Sequence, residues 1–165
     1  MVMPAFNDIN GVPCSVNKKL LRKILRQDWG FEGMVISDSN AIAECVNHGV
    51  VQNRKEAAKA ALEAGIDMDM ASDVYYENLE SLVMEKKIDE QLIDQAVANV
   101  LRLKFDLGLF ENPYRECEER ESVLAQDPES FNIAKEAADK SIVLLKNNGL
   151  LPLQPKVKLG IVGVL

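Results

Sequence analysis

Several things are missing from this 165-residue chain, and each absence removes a class of function. There is no apolar run of about 18 residues, so no segment reads as a membrane-spanning helix. The first fifteen residues hold Pro4, Asn7, Asp8, Asn10 and Gly11, with no basic start and no apolar stretch, so nothing there resembles a secretory leader. That points to the cytoplasm, or to export if a leader precedes this segment in a longer protein. Cysteine is scarce and odd in number: Cys14, Cys45 and Cys117 are widely spaced, which suits free thiols better than a disulfide framework. With His48 as the one histidine, these thiols offer no zinc site. Clustered basic charge is also lacking. A formal charge of −7 argues against a nucleic-acid surface and against docking on anionic membranes. The Lys146-Asn147-Asn148-Gly149 turn is too poor in glycine for a phosphate loop.

What is present is enough to fold. Apolar residues make up 47% of the chain and charged residues 27%, interspersed rather than segregated. Met1–Phe6 is short and mostly apolar, a buried strand, followed by a loop at Asn10-Gly11 and Pro13. Asn17 caps a helix from Lys18 to about Asp28 that carries Leu20, Leu21, Ile24 and Leu25 on one face and closes at Trp29-Gly30-Phe31. Met34-Val35-Ile36 reads as a compact strand ending at Ser37-Asp38. Helices follow at 40–47 and 54–64, with Gly65 as a stop, and Ile66–Met70 reads as a third strand. Ser72 is placed to cap a helix to about Glu85. Asp89 is placed to cap a long amphipathic one bearing Ile93, Val97, Val100, Leu101 and Lys104, with Ile88 and Ile93 as a hydrophobic staple. Residues 112–126 are acidic and predicted irregular. Asp127-Pro128 then opens a helix running toward Asn147, and Leu159–Val164 reads as a further apolar strand.

Alternation of strands and helices predicts an α/β architecture with buried parallel strands. Periodicity alone does not separate a barrel from a doubly wound sheet. Three strands precede the acidic stretch, whereas a closed eight-stranded barrel needs about 250 residues, so the fold is predicted to be incomplete in this chain.

Asp38 is the sharpest chemical candidate. It follows an apolar strand and precedes a helix, the position where functional groups gather in α/β folds; the ordinary alternative is a helix cap. Ser37 and Ser39 flank it and are equally good caps. Asp67 and Asp69, two apart on one strand face, are suited to a sugar or a metal, or are surface carboxylates before a loop. His48 has no Ser or Cys nucleophile beside it in sequence. Trp29 and Phe31 read as packing residues.

These residues carry a resemblance to glycoside hydrolase family 3, of the bacterial β-glucosidase type. Met3-Pro4-Ala5-Phe6-Asn7-Asp8-Ile9-Asn10-Gly11-Val12-Pro13 resembles the family's sixth barrel strand. Trp29-Gly30-Phe31-Glu32-Gly33-Met34-Val35-Ile36-Ser37-Asp38 resembles the approach to its nucleophile, and Ala64-Gly65-Ile66-Asp67-Met68-Asp69-Met70 its eighth strand. Lys104–Tyr114 resembles the end of the barrel domain, and Ser141–Asn147 with Leu151-Pro152-Leu153 the entry to a second domain. Ile161-Val162-Gly163 is similar to that domain's first strand, although Gly163-Val164-Leu165 departs from the usual Gly-Pro.

The resemblance implies the C-terminal part of a (β/α)8 barrel over 1–111, an acidic linker over 112–127, and the first elements of an α/β sandwich over 128–165. It implies retaining hydrolysis of terminal β-D-glucosyl residues, with Asp38 as nucleophile and a second carboxyl group as acid/base, the two roughly 5–5.5 Å apart. That second group, and the residues holding the sugar's far side, belong to family segments outside residues 1–165, so the chain by itself is expected to be inactive. Phe6 stands where the family often has a tyrosine reaching the sugar, and Ser39 where an aromatic commonly clamps the leaving group; both are substrate-binding positions. No cofactor or metal is implied. The partner is a β-linked glucoside or oligosaccharide, and open sheet edges favour self-association into a homo-oligomer. A β-xylosidase or α-arabinofuranosidase of the same family is the nearest alternative. A non-catalytic scaffold and a truncated, inactive fragment are the others.

Overall fold

A computed structural model describes residues 1–114 and 118–163. The chain divides into two compact units, Met1–Tyr114 and Arg115–Leu165. The first is α/β. Its three apolar segments run parallel, with Val2 bridged to Val35 and Ile36 bridged to Met68, so the Val35 segment is central. The Val2 amide donates to the Met34 carbonyl (2.9 Å) and the Ile36 amide to the Val2 carbonyl (3.0 Å). On the other side, the Asp67 amide donates to the Val35 carbonyl (2.8 Å) and the Ser37 amide to the Met68 carbonyl (2.9 Å).

The predicted strands at 1–6, 34–36 and 66–70 are thus reduced to single bridges. On the Met68 side the cause lies in the ladder itself: the Val35 amide donates to the Asp67 side chain (2.8 Å) rather than to a backbone carbonyl. No closed barrel or sandwich forms among the described residues, and the one regular sheet there is a two-stranded hairpin. That hairpin, β1 (Asp8–Ile9) and β2 (Val12–Pro13), falls where the sequence predicts a loop. Asn10 and Gly11 take φ of 54° and 76°, the left-handed pair that a two-residue turn between twisted strands requires.

A short 3₁₀ turn (Cys14–Val16) leads into the helix Lys19–Asp28. Asn17 caps that helix as predicted, its Oδ1 accepting from the Leu20 amide at 3.0 Å. The helix is wound as a π helix: at its end the Trp29 amide reaches the Ile24 carbonyl five residues back (3.0 Å). Leu21 and Leu25 are its buried contacts. Trp29, predicted to pack, is instead 73% exposed, because the chain reverses at Gly30 (φ 67°) and turns only Phe31 inward.

Helices α1 (Ala41–Asn47), α2 (Arg54–Ala64), α3 (Val74–Met84) and α4 (Glu90–Asp106) cover this frame. α2 lies at the centre of the core. Ala57, Ala58, Ala61, Leu62 and Ala64 are all buried, and the small side chains let α1 and α3 approach closely. Asn53 caps α2 by accepting from the Glu56 amide (2.9 Å), and Gly65 ends it with φ 109°.

Ser72 does not cap α3: its hydroxyl donates to Asp69, and Asp73 holds the position before the helix in a left-handed conformation. Asp89 caps α4 as predicted, accepting from the Gln91 amide (3.0 Å), with Ile88 in the core cluster and Ile93, partly buried, packed against it. The stripe predicted along α4 is only partly used. Ala96 is buried, whereas Val97 and Leu101 are exposed, because α4 turns its Ala96 edge rather than its Val97–Leu101 edge to the core.

In the second unit, α5 (Glu118–Ala125) forms where irregular chain is predicted. Its run of Glu, Arg, Leu and Ala has adequate helix propensity despite the charge. α6 (Pro128–Ser141) is capped by Asp127, which accepts from the amides of Glu129 (3.1 Å) and Ser130 (3.3 Å). It ends short of Asn147, since Ile142 is already extended (ψ 121°) at the start of a β-branched pair. The strand predicted at 159–164 is absent from residues 159–163, which have no ladder partner among the described residues; Val164 and Cys117 lie outside them.

Replacement of Leu62, 1% exposed, by alanine is expected to cost about 2–5 kcal/mol. Tyr76→Ala, at a site 91% exposed on α3, should change stability by no more than about 0.5 kcal/mol. Chemical denaturation of the two variants checks both.

Candidate active site

Three carboxylates stand along two neighbouring parallel segments: Asp38 just past the C-terminal end of one, and Asp67 and Asp69 immediately before and after the Met68 bridge of the other. Their surroundings separate them. Asp67 is consumed by structure. Its side chain is 4% exposed. Oδ2 accepts from Arg26 Nη2 (2.8 Å) and from the Val35 amide (2.8 Å), and Oδ1 from Asn99 Nδ2 (3.0 Å). Asp69 is likewise occupied, accepting from the Ser72 hydroxyl and from the Tyr75 amide (3.2 Å). The sugar- or metal-binding pair suggested by their spacing is thus engaged by the fold instead, both oxygens of each carboxylate accepting from protein groups.

Asp38 differs. It is half-buried, and its recorded bond is the one its Oδ1 accepts from the next amide, Ser39, at 2.7 Å. Among the described residues no cation pairs with it. Its backbone is nevertheless held firmly. Ser37, fully buried, accepts at Oγ from the Met70 amide (2.8 Å), and the Asn40 amide donates to the Met70 carbonyl (2.9 Å). The Asp38 carbonyl accepts the Ala41 amide (3.1 Å) and so starts α1, with Asn40 in the left-handed region (φ 62°). A rigid backbone thus presents a carboxylate with lone pairs to spare. That combination suits a nucleophile, which must be fixed in place and unquenched.

Phe6 and Ser39 are both exposed. Phe6 lies four residues past Val2 and Asp38 three past Val35, so the parallel bridge between Val2 and Val35 brings both to the same end of the sheet. Ser39 follows Asp38 directly. His48, the residue after α1, sets Nδ1 3.1 Å from Asp8 Oδ1 in the hairpin. It pairs with a carboxylate rather than with a Ser or Cys.

Cys14 and Cys45 are free and buried. Burial, with the nearby Asp8 charge, pushes the Cys45 thiol up to about 11 and raises that of Cys14, so both are poor nucleophiles. No group of three His, Cys, Asp or Glu side chains is placed to hold a metal among the described residues, and none of the helices there is long and apolar enough to cross a membrane.

The residues that sequence reading passes over are Arg26 and Asn99, the partners of Asp67. Arg26 carries a faint signal: it lies one turn after Arg22 on a helix whose neighbouring face is apolar, an unusual place for two guanidinium groups. Asn99 carries none.

Comparison with known proteins adds family context. The family model described as the glycosyl hydrolase family 3 N terminal domain matches residues 1–103. A periplasmic β-glucosidase of Salmonella typhimurium is 38% identical over 99% of this chain and 22% of its own length. A β-xylosidase of Formosa agariphila is 39% identical over 98% of this chain and 24% of its own. The crystal structure of a β-glucosidase from Listeria innocua in complex with glucose superposes with a TM-score of 0.75 at 45% identity, over 93% of this chain and 21% of that one. The chain thus spans about a fifth to a quarter of the length of these relatives.

Two outcomes follow from the geometry. Asp67→Ala strands the Arg26 charge and the Val35 amide and is expected to cost about 3–5 kcal/mol, whereas Asp38→Asn should stay within about 0.5 kcal/mol of the parent in urea denaturation. Tyr75 donates its hydroxyl to the Ile66 carbonyl (2.9 Å), and burial, reinforced by the Asp69 and Asp67 charges, holds its phenol well above the ordinary value of 10.0. The unfolded chain ionises this phenol first. Stability is therefore unaffected by Tyr75 below pH about 10 and falls as the pH rises beyond it. In alkaline denaturation Tyr75→Phe should show a shallower decline than the parent.

Proposed function

This chain belongs to glycosyl hydrolase family 3, and from that premise we infer that it supplies the nucleophile of a retaining β-glucosidase. One observation carries the reading: of the three carboxylates, Asp38 alone is rigidly held at its backbone while its side chain, among the described residues, bonds only to the adjacent Ser39 amide. An Asp38 oxygen attacks the anomeric carbon of a terminal β-D-glucosyl unit, forming a C–O bond as the bond to the leaving oxygen breaks. A carboxylic acid supplied from outside residues 1–165 protonates that oxygen. The resulting carboxylate then takes a proton from water, whose oxygen bonds to the anomeric carbon as the bond from that carbon to Asp38 breaks, freeing the carboxylate. Phe6 gives the sugar an apolar wall without a hydroxyl, and Ser39 leaves the leaving-group side uncrowded. On this reading 1–111 is barrel, 112–127 linker, and 128–165 the entry to a sandwich domain.

A β-xylosidase is the second reading. It is favoured by the near-equal identity to the Formosa β-xylosidase and the Salmonella β-glucosidase. The two differ at the sugar's C6 group, which a glucoside has and a xyloside lacks.

The test uses the full-length protein that carries this chain, given an aryl β-D-glucoside and an aryl β-D-xyloside in parallel. Glucoside turnover should dominate, and Asp38→Ala should lower it by on the order of 10⁴-fold or more. A 2-deoxy-2-fluoroglucoside should leave a covalent adduct on the peptide containing Asp38, read by mass spectrometry. Faster turnover of the xyloside moves the assignment to the second reading, and an adduct on any other residue rules out Asp38 as nucleophile.

A further inference from the structure

The Asp8–His48 contact stands apart from the other polar side-chain contacts of this unit by what it connects. Asp8 is the first residue of β1, two residues after Phe6. His48 follows the last residue of α1, whose first turn is fixed by the bond from the Ala41 amide to the Asp38 carbonyl (3.1 Å). Nδ1 of His48 lies 3.1 Å from Oδ1 of Asp8. A carboxylate only accepts, so Nδ1 carries the hydrogen. The pair closes a ring of chain: Asp38, through the seven residues of α1, to His48, across to Asp8, back to Phe6, and through the Val2–Val35 bridge to the Asp38 segment.

Both partners are partly solvated, 30% and 39% exposed, and such pairs contribute little to stability. What the contact does is geometric. The hairpin is held to its own stem by Cys14 donating to the Asn7 carbonyl (3.3 Å) and by pairing of Ile9 with Val12. Neither of those bonds relates the hairpin to α1. The imidazole is well suited to the task, being rigid beyond two torsions and fixed by a helix end, where the Glu44 carbonyl accepts the His48 amide (3.0 Å).

We propose that Asp8 and His48 are positioning residues that set the Phe6 loop against the Asp38–Ser39 strand end, and so fix the glycon wall relative to the nucleophile. This assignment rests on the reading of Asp38 as nucleophile. Loosening the wall weakens the hold on the sugar in ground and transition states alike, so the effect belongs in KM rather than kcat.

The experiment is steady-state hydrolysis of an aryl β-D-glucoside by the full-length protein and its Asp8→Ala, His48→Ala, His48→Gln and His48→Asn variants, with Tm recorded for each. Asn carries its amide nitrogen at about the position of Nδ1, whereas Gln places it too far out. Asp8→Ala, His48→Ala and His48→Gln should each raise KM about tenfold with kcat within about twofold and Tm little changed. The double alanine variant should be no worse than either single one, and His48→Asn should restore KM.

Wild-type KM in the alanine variants, a fall confined to kcat, or an asparagine variant no better than alanine overturns the positioning role while leaving the nucleophile assignment intact. A full-length protein that cleaves neither aryl glycoside overturns the functional reading and this role with it.

Discussion

One buried carboxylate organises this unit. Asp67 accepts from the Arg26 guanidinium on the π helix, from the Val35 amide in the central segment and from the Asn99 amide on α4. Three elements that are 32 to 41 residues from Asp67 in sequence thus meet at two oxygens. A charge with so little exposure is tolerable only when its lone pairs are met, and the same requirement makes each partner hard to remove. By taking the Val35 amide out of the backbone ladder, Asp67 sets the height of the central segment. Asp38 emerges three residues further on.

The Trp29–Gly33 turn follows from the same interaction. Arg26 also donates to the carbonyls of Phe31 (3.3 Å) and Gly33 (3.0 Å) and lies 5.8 Å from the centre of the Phe31 ring. A side chain at position 33 would place its Cβ 2.6 Å from that ring, so glycine is demanded there by the aromatic two residues before it. Gly30 serves a different need, a left-handed reversal at φ 67°. The Trp-Gly-Phe-x-Gly run therefore reads as support for an anchored arginine, and through it for the strand that ends at Asp38.

Local devices were legible in advance and distant ones were not. Asn17, Asp89 and Asp127 cap helices where the sequence places them, because a cap acts on an amide two or three residues away. Ser72 fails by the same measure. Asp69 lies within its reach and competes for its hydroxyl, a contest that residue type alone does not decide. The exposure of Trp29, the π winding before it and the unused edge of α4 also escape a reading by period, since each depends on which face the rest of the chain covers.

By itself the sequence determined where the π-wound helix and α1 to α4 of the first unit lie, the strand–helix alternation that makes it α/β, and the motif order that matches family 3. Those are properties of neighbours along the chain, set by torsional preference, apolar period and short-range hydrogen bonds. Only the tertiary structure decided which acidic side chains are taken up by the scaffold. Local position marks Asp38 as the candidate, but it does not show that Asp67 is buried in a network of distant partners. The distinction arises because Arg26 and Asn99 arrive from far along the chain to occupy one, Ser72 and Tyr75 fold back on another, and no described cation reaches the third.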